Sequence, residues 1–422
     1  MPRLLDSYAS VVGEDVINHL LQLSRPLEGM KVVHVNSTRE GGGVAEILHK
    51  LVPLMLDLGM DVCWEVISGE EDFYRCTKGF HNALQGHRVS VGSGLLKIYE
   101  KTNRENAERL EKVLRDADFV FIHDPQPAGL IDFLPERKGR WIWRCHIDCS
   151  RPYRPVWKYL RNYCARYDAS IFSLPEFVQR LPHPQFIIAP SIDPLSEKNI
   201  ELPPEEVEGI FDEFGMNPEL PLLVQVSRFD RFKDPLGVIE AFRQVRRHVP
   251  CQLVLAGGGA SDDPEGTSVL EEVQVAASGE QDILVLVLPP DAHRKINAIQ
   301  RAADIVIQKS IREGFGLTVS EAMWKGRPVV GGDTGGIRIQ VIDHYTGFRV
   351  RTPEGAALRI RYLLHHGDKR LEMGKRARRL VRENFLLTRH LREYMALMIS
   401  LINGAGDRID ISSQGPGNRT AR

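Results

Sequence analysis

The sequence predicts an α/β fold made of two doubly wound, Rossmann-like domains that face each other across a cleft. Short apolar runs alternate with stretches long enough for crossover helices, which is the pattern of βαβ units. The runs form two series, and a segment rich in proline, serine and acidic residues, 189–206, lies between them as an expected interdomain linker. A chain of 422 residues is long enough for two ordinary domains.

The apolar runs are short, continuous and rich in β-branched residues, as parallel strands buried on both faces usually are. They cover 31–35, 61–67, 119–123, 141–147, 169–173 and 186–189 in the first series, and 222–227, 252–256, 283–288, 304–308 and 328–331 in the second. Residues 44–58, 234–249 and 291–303 suit crossover helices, and the chain is expected to be helical from about 354 to 402. We therefore expect an N-terminal domain over 1–190, a C-terminal domain over 207–385 and a disordered tail over 403–422.

Composition excludes several classes of function. The net charge of −1 gives no electrostatic reason to expect nucleic acid or an anionic membrane as a partner. No apolar run approaches the ~20 residues of a membrane-spanning helix, and the N-terminal residues have no signal-peptide core. The six cysteines have no zinc-site spacing, no metal ligand is predicted, and reduced thiols in a cytoplasm are the plain interpretation. The sequence is compatible with a homodimer but contains no feature that tests this.

The segment from Glu313 to Glu321, read E-G-F-G-L-T-V-S-E, is the most informative part of the chain. It follows a predicted strand, so glycines 314 and 316 should form a strand-to-helix turn, with a helix over about 317–325. Free N–H groups at the start of that helix suit a phosphate, and the two carboxylates suit sugar and ribose hydroxyls. A glycine-rich turn followed by a helix with surface glutamates would give the same spacing.

Polar residues also follow three strands of the first domain. Glycines 41–43 come after the first strand and would let the backbone approach a ligand closely. Their order is not G-x-G-x-x-G and no acid stands at the ribose position, so a dinucleotide site is a weak alternative. His123, Asp124 and Gln126 follow the third strand, and His146 and Asp148 follow the fourth. Either histidine could be structural, but two polar clusters at neighbouring strand ends favour a site.

Two cations open the second domain. Arg228 and Lys233 lie between a predicted strand and a predicted helix, where they can hold a diphosphate. Glycines 257–259, after the next strand, provide a further loop that could approach a ligand. A solvated charged loop and a flexible turn are the plain alternatives for these two segments.

These residues resemble a known family. The string R-F-D-R-F-K-D over 228–234, together with the two glutamates, is similar to the donor site of retaining GT-B glycosyltransferases. Five further strings resemble the trehalose glycosyltransferring synthases, which are close to trehalose phosphorylases: G-G-G-V-A-E-I-L, H-D-P-Q-P, W-R-C-H-I-D, P-S-I-D-P-L-S-E-K-N and S-I-R-E-G-F-G-L-T-V-S-E-A-M-W-K-G. The resemblance runs through most of residues 30–400, and implies a GT-B fold whose final helix, 386–402, packs back on the first domain.

The resemblance also implies roles for the residues singled out above. Glu313 would bind donor sugar hydroxyls, and His146 and Asp148 would line the transfer point, so these three are the catalytic candidates. Asp124 and Gln126 would lie on the acceptor side. The residues implied to bind the nucleotide sugar are Arg228, Lys233, Glu321, Gly41, Gly42, Gly43, Gly314, Phe315, Gly316, Leu317 and Thr318.

The implied reaction is reversible transfer of glucose from a nucleoside diphosphate glucose (UDP-, ADP- or GDP-glucose) to free glucose, giving α,α-trehalose with retained configuration. No tightly bound cofactor or metal is implied, and Mg²⁺ would act only by assisting the nucleotide in solution. Three alternatives stay open: a trehalose phosphorylase, a related transferase with another acceptor, and a non-catalytic nucleotide-sugar binding protein. The intact Arg228, Lys233, Glu313 and Glu321 disfavour the last.

Overall fold

The computed structural model describes residues 3–40, 42–258 and 264–404. Gly41, Gly259 and residues 405–422 of the expected tail lie outside these described ranges. The described chain divides into two compact units: unit 1 contains residues up to 190 together with the segment from 387 onward, and unit 2 contains residues 191–386. The predicted α/β class is confirmed, since each unit is built on a six-stranded sheet whose strand pairs are parallel.

Unit 1 carries its sheet in the order β2-β1-β3-β4-β5-β6. The strands are β1 Lys31–Asn36, β2 Asp61–Val66, β3 Phe119–His123, β4 Arg140–Arg144, β5 Ala169–Phe172 and β6 Gln185–Ile187. The helices are α1 Ala9–Val12, α2 Glu14–Ser24, α3 Gly42–Asp57, α4 Glu71–Leu84, α5 Ser93–Arg115 and α6 Arg154–Cys164. The strand order reverses between β1 and β3, and ligands of doubly wound sheets bind outside the carboxyl ends of the strands at such a point.

Unit 2 has the order β12-β11-β10-β7-β8-β9, which is the Rossmann arrangement. Its strands are β7 Leu222–Val226, β8 Gln252–Gly258, β9 Ile283–Leu288, β10 Ile305–Gln308, β11 Val329–Gly332 and β12 Gly347–Val350. Its helices are α7 Pro204–Phe214, α8 Pro235–Arg246, α9 Pro264–Ala277, α10 His293–Ala302, α11 Leu317–Trp324, α12 Ile337–Gln340, α13 Pro353–His365 and α14 Gly367–Asn384. Here the order reverses between β7 and β10.

Local sequence explains how the helices of unit 2 begin. Asp234 precedes Pro235, the first residue of α8, and its side chain accepts the N–H of Gly237. Thr352 precedes Pro353 in the same way, and its hydroxyl accepts the N–H of Gly355 at the start of α13. A capping side chain satisfies an N–H that the helix cannot, and proline in the first turn lacks the N–H that would need a partner.

The segment expected to be an interdomain linker is held against unit 2 over 191–201. The side-chain amide of Asn297 donates to the carbonyls of Glu197 and Ile200, 2.9 Å away in each case. The indole N–H of Trp324 donates to the carbonyl of Asn199 at 3.1 Å. Sequence composition could not show this, because the groups that hold the segment lie about a hundred residues away along the chain.

The last helix of the described chain, α15 Leu387–Ile402, belongs to unit 1, where it contacts α2 and α3. Most of its apolar side chains are buried, among them Leu391 and Met398, and so is Tyr394. The guanidinium of Arg389 donates to the carbonyls of Ala189 and Pro190, both at 2.8 Å. Unit 2 is therefore inserted between two parts of the chain that fold together.

Candidate active site

The carboxyl ends of β7 and β10 place two of the predicted segments side by side in unit 2. These strands are adjacent and parallel at the point where the strand order reverses. Residues 227–234 follow β7, and residues 309–316 follow β10. The N–H of Ile311 donates to the carbonyl of Phe232 at 2.8 Å, which ties one segment to the other.

An ion pair joins the two segments. Lys233 Nζ lies 2.5 Å from Glu313 Oε2, and only 19% and 8% of the two side chains are exposed. The hydroxyl of Ser310 donates to the same carboxylate oxygen at 3.3 Å. The structure thus brings together Lys233, which is predicted to bind the diphosphate, and Glu313, which is predicted to bind the sugar. The two residues are 80 positions apart in the sequence.

Arg228 is the more exposed of the two predicted cations. Its side chain is 71% exposed, and its Nη2 lies 3.7 Å from Asp230 Oδ2. The other carboxylate oxygen of Asp230 accepts the N–H of Phe232 at 2.7 Å, at the start of the short 3₁₀ turn Arg231–Lys233. Because the ionic contact with Asp230 is long and exposed, the guanidinium keeps most of its donors for a ligand.

A second, buried ion pair lies beside the first and was missed by sequence reasoning. Lys309 pairs with Asp234, and both side chains are largely buried. Asp234 has a left-handed backbone (φ 52°), which for a residue other than glycine must be held by its contacts. The sequence Q-K-S at the end of β10 offered a signal, since a lysine next to a buried strand needs a partner.

The glycine turn before α11 has the predicted form. The helix begins at Leu317, as expected, and ends at Trp324, one residue before the expected end. Gly316 precedes it with φ 86°, a conformation that favours glycine. Having no side chain, Gly316 cannot cap the first N–H groups of the helix, at Leu317 and Thr318, which suits them to an anionic ligand.

A second glycine turn, after β11, packs closely against the turn that precedes α11. A Cβ on Gly335 would lie 1.6 Å from the carbonyl oxygen of Glu313, and a Cβ on Gly336 would lie 2.3 Å from Phe315 Cα. Only glycine allows the two turns to approach so closely. The glycines of G-G-D-T-G-G at 331–336 were visible in the sequence, but nothing there linked them to the Glu313 turn.

The buried amide of Gln340 completes this support. Its Nε2 donates to the carbonyls of Phe315 at 2.6 Å and Gly336 at 3.1 Å, so it binds both glycine turns. Its Oε1 accepts the hydroxyl of Ser320 at 2.5 Å, which adds α11 to the same network. Gln340 was also missed, because a glutamine on a four-residue helix carries no distinctive sequence signal.

Glu321 lies in the second turn of α11 and is only 2% exposed. Beneath it, the ammonium of Lys325 donates to Gln300 Oε1 at 2.9 Å, to Asn199 Oδ1 at 3.2 Å and to the carbonyl of Glu321 at 3.2 Å. Burial lowers the pKa of Lys325 to about 7, although the charge of Glu321 opposes the shift.

This buried lysine predicts a pH-dependent stability. The ordinary pKa of lysine is 10.5, so between pH 7 and 10.5 the unfolded chain binds a proton at Lys325 that the folded protein does not. The stability of the protein relative to a Lys325→Met variant should therefore rise with pH across this window, by up to about 1.4 kcal/mol per pH unit. Urea unfolding at several pH values measures the difference. The exposed Lys369, substituted in the same way, serves as the control, and a difference for Lys325 that does not change with pH would contradict the prediction.

The glycines of the second domain's other loop play a structural part. A Cβ on Gly257 would lie 1.9 Å from the carbonyl oxygen of Ser227, so Gly257 permits a close contact with the end of β7. Gly258 is the last residue of β8. The third glycine of this run, Gly259, lies outside the described residues.

In unit 1, the predicted glycine loop is described only in part. Gly41 lies outside the described residues, whereas Gly42 and Gly43 are the first residues of α3. Gly42 has φ 80°, and no atom of the described residues, apart from its chain neighbours and its own helix backbone, lies within 4 Å of the place where its Cβ would be. A side chain at Gly42 would therefore be disfavoured by backbone strain and not by crowding within unit 1.

The two polar clusters of unit 1 are joined by hydrogen bonds. Asp124, with φ 65°, accepts the backbone N–H of His146 at 2.7 Å. His123 Nδ1 lies 3.0 Å from His146 Nε2. Burial raises the pKa of Asp124 to about 7, and the hydrogen bond from His146 opposes this shift. Asp124 thus holds the segment after β4, which gives it a contact in addition to its predicted acceptor role.

Asp148 and Gln126 differ in how they are held. Asp148 is half-buried and accepts the N–H of Ser150 at 2.9 Å. The side-chain oxygen of Gln126 is buried and has no hydrogen-bond partner in the described part of the chain. An unpaired amide oxygen of this kind is available to a hydroxyl of a ligand.

The part of the chain that the structure describes was searched for groups of metal ligands and for membrane-spanning helices. Among the described residues, no group of three or more His, Cys, Asp or Glu side chains could hold a metal ion. Over the same ranges, no helix is long and apolar enough to cross a membrane.

Comparison with known proteins identifies the class. Residues 34–179 match the family described as trehalose synthase, N-terminal domain, and residues 206–380 match glycosyl transferases group 1. The solved α,α-trehalose-phosphate synthase (UDP-forming) of Burkholderia xenovorans, in complex with glucose-6-phosphate, has a similar fold, with a TM-score of 0.71 at 14% identity over 88% of this chain and 100% of that one. The fold and these matches define a GT-B glycosyltransferase, an enzyme that transfers hexosyl groups.

Closer relatives narrow the class to one family. The trehalose synthase of Pyrococcus horikoshii is 46% identical over 404 residues, which are 94% of this chain and 97% of that protein. The chain belongs to the trehalose synthase family. The trehalose phosphorylase of Pleurotus pulmonarius is a more distant relative, 29% identical over 398 residues that cover 82% of this chain and 53% of that protein.

Proposed function

We propose that the protein transfers glucose reversibly from a nucleoside diphosphate glucose to free glucose, forming α,α-trehalose with retained configuration. Donor binding is assigned to unit 2 and acceptor binding to unit 1. The observation that carries the proposal is the contact between Lys233 and Glu313 at the carboxyl ends of β7 and β10, 2.5 Å between Nζ and Oε2.

This contact suits the two halves of a sugar diphosphate. A lysine ammonium has three donors, so Lys233 can donate to Glu313 and keep two donors for phosphate oxygens. The Glu313 carboxylate has lone pairs beyond those used by Lys233 and Ser310, and these can accept sugar hydroxyls. In a sugar diphosphate the hydroxyl-bearing ring is bonded directly to phosphate, which fits a carboxylate and a cation held side by side.

Stabilisation of the departing diphosphate is assigned to Arg228, Lys233 and the first N–H groups of α11. Such fixed donors and charges, aimed at the place where negative charge develops, usually supply the largest part of a rate enhancement. In the proposed front-face route, the leaving phosphate oxygen takes the proton of the acceptor hydroxyl as the new glycosidic bond forms on the same face. Glycines 41–43 are also assigned to binding of the nucleotide sugar.

The acceptor side is assigned to the polar clusters of unit 1. His146 and Asp148 would line the transfer point, and Asp124 and Gln126 would bind acceptor hydroxyls. The unpaired oxygen of Gln126 supports its part in this assignment. No resident metal is proposed, and Mg²⁺ would act only as a counterion of the nucleotide. A cytoplasmic location is supported by six free cysteines, since free thiols are typical of a reducing compartment.

The role proposed for Glu321 leads to a binding prediction. Glu321→Gln keeps the shape of this buried side chain but removes its charge, so it should weaken binding of a nucleoside diphosphate about tenfold through loss of a charge-assisted hydrogen bond to the ribose. Titration calorimetry with the nucleoside diphosphate measures this. The same variant should bind inorganic diphosphate, which has no ribose, as the unchanged protein does. Equal weakening for both ligands would contradict the ribose assignment.

One assay tests the proposed function as a whole. The protein is incubated with trehalose and either a nucleoside diphosphate or inorganic phosphate, and the activated glucose is identified by chromatography. We expect nucleoside diphosphate glucose and an equal amount of glucose in the first mixture, and no reaction in the second. Glucose 1-phosphate formed from inorganic phosphate alone would replace the proposal with a trehalose phosphorylase.

A further inference from the structure

Three histidines of unit 1 form a hydrogen-bonded chain that leads from the core to the predicted transfer point. His34 lies in β1, His123 ends β3 and His146 follows β4, and these three strands are neighbours in the sheet. His34 Nδ1 is 3.1 Å from His123 Nε2, and His123 Nδ1 is 3.0 Å from His146 Nε2. His34 and His123 are buried, whereas His146 is half-buried.

Two hydrogen bonds in series allow only two arrangements of protons. A neutral imidazole has one N–H and one acceptor nitrogen, so the direction of one bond fixes the direction of the other. In one arrangement His34, His123 and His146 all carry their proton on Nδ1. In the other, all three carry it on Nε2.

His34, at the buried end of the three histidines, decides between the two proton arrangements. His34 Nε2 is buried and has no hydrogen-bond partner in the described part of the chain. Phe121 is stacked on the ring, with centroids 4.9 Å apart. A buried N–H without an acceptor is rarer in proteins than an acceptor without a donor. The proton of His34 therefore belongs on Nδ1, and both other rings follow.

We propose that His34 and His123 are positioning residues that fix the proton of neutral His146 on Nδ1, so that His146 donates a hydrogen bond to a sugar or phosphate oxygen at the transfer point. His146 cannot then act as a base through that nitrogen. This inference rests on the proposed function for the place of His146 in the reaction, but the proton arrangement itself does not depend on it.

The surroundings of the three histidines keep their rings neutral. Burial lowers the pKa of His34 to about 3 and places those of His123 and His146 well below the ordinary range. The charged and titratable groups that face the three histidines are Arg144 on β4, Asp124 in the segment after β3, and His390 and Tyr394 on α15, with Arg389 beside His390. The guanidinium of Arg144 adds to burial in opposing a positive charge on His123 and His146.

Nuclear magnetic resonance tests the proton arrangement directly. Two-bond ¹H–¹⁵N correlation spectra of the full chain with ¹⁵N-labelled histidine distinguish an Nδ1–H ring from an Nε2–H ring, and single substitutions assign the signals. We expect His34, His123 and His146 all to be Nδ1–H at neutral pH. The exposed His19 on α2 serves as a reference signal. An Nε2–H form of His146 would overturn the proposal.

A matched pair of variants tests the effect on transfer. His34→Leu removes the donor to His123, whereas His34→Asn keeps a donor close to the position of Nδ1. With the glucosyl donor that the trehalose assay identifies, we expect His34→Leu to lower kcat about tenfold with little change in KM, and His34→Asn to restore most of the loss. His19→Leu should leave both constants unchanged.

The outcomes separate the two proposals. Equal kcat loss in His34→Leu and His34→Asn, with both folded, would show a purely structural role and overturn the positioning role. If His34→Leu does not fold, the spectra of the unchanged protein still decide the matter. If His146→Phe transferred glucose at the normal rate, His146 would have no part in the proposed reaction. The spectra would still test the proton arrangement of the three histidines independently.

Discussion

Glu313→Gln is expected to lower the turnover of glucosyl transfer about a hundredfold. The substitution keeps the shape of the side chain but replaces a carboxylate that accepts from Lys233 and Ser310 and, in the proposed function, from sugar hydroxyls. Charge-assisted hydrogen bonds contribute about 1.5–3 kcal/mol each, and about 2.7 kcal/mol corresponds to a hundredfold. Binding of a nucleoside diphosphate should change little, because this ligand lacks the glucosyl ring assigned to Glu313 and its ribose is assigned to Glu321.

Steady-state kinetics and calorimetry on the same preparation measure the two effects. Glu272→Gln is the matched control, because Glu272 is a partly exposed carboxylate of unit 2 that pairs with Arg231. It should leave both turnover and binding unchanged. If Glu313→Gln weakened nucleoside diphosphate binding and left turnover intact, the sugar role assigned to Glu313 would be wrong.

Arg228→Ala and Lys233→Ala should each lower turnover more than tenfold, because each removes a charged donor from the departing diphosphate. The affinity for the acceptor glucose should hardly change. Arg231→Ala is the control within the same loop: Arg231 binds Glu272 through two hydrogen bonds of 2.6 and 3.2 Å and lies outside the proposed site. Near-normal kinetics in both variants would show that Arg228 and Lys233 do not stabilise the departing diphosphate.

The ion pair between Lys233 and Glu313 makes a double-mutant cycle informative. Lys233→Met alone leaves the Glu313 carboxylate largely buried, with Ser310 as its one remaining side-chain donor among the described residues, so part of the effect of Lys233→Met comes from the unpaired charge. Adding Glu313→Gln removes that charge. The double variant should therefore lose less unfolding free energy than the sum of the losses in the two single variants. Urea unfolding of the four proteins gives the coupling energy. Additive losses would show that the two groups act independently.

Much of the fold could be predicted because each buried parallel strand is a short apolar run. The predicted run 222–227 corresponds to β7 and the run 283–288 to β9, with ends that agree within one residue. The strand β12 was missed, because G-F-R-V is short and begins with glycine. The order of strands could not be predicted at all, since it depends on pairings between distant segments.

The site was predictable where one segment holds all its parts. The Glu313 turn and the start of α11 were predicted from a local pattern of glycine, glutamate and apolar residues. Gln340 and Lys309 were missed because their importance lies in contacts with Phe315 and Asp234, which tertiary structure alone brings close. His34 was missed for a similar reason, since a histidine within an apolar strand is usually structural.

The return of α15 to unit 1 has a consequence for protein synthesis. A chain that leaves the ribosome from its N-terminus produces all of unit 2 before the helix that unit 1 needs. Until then, the surfaces of α2 and α3 that contact α15 stay open to water or to other nascent chains. Unit 2, which is continuous from 191 to 386, can fold first as a whole. We therefore expect a free chain truncated after residue 386 to contain a protease-resistant second unit beside a protease-sensitive first one.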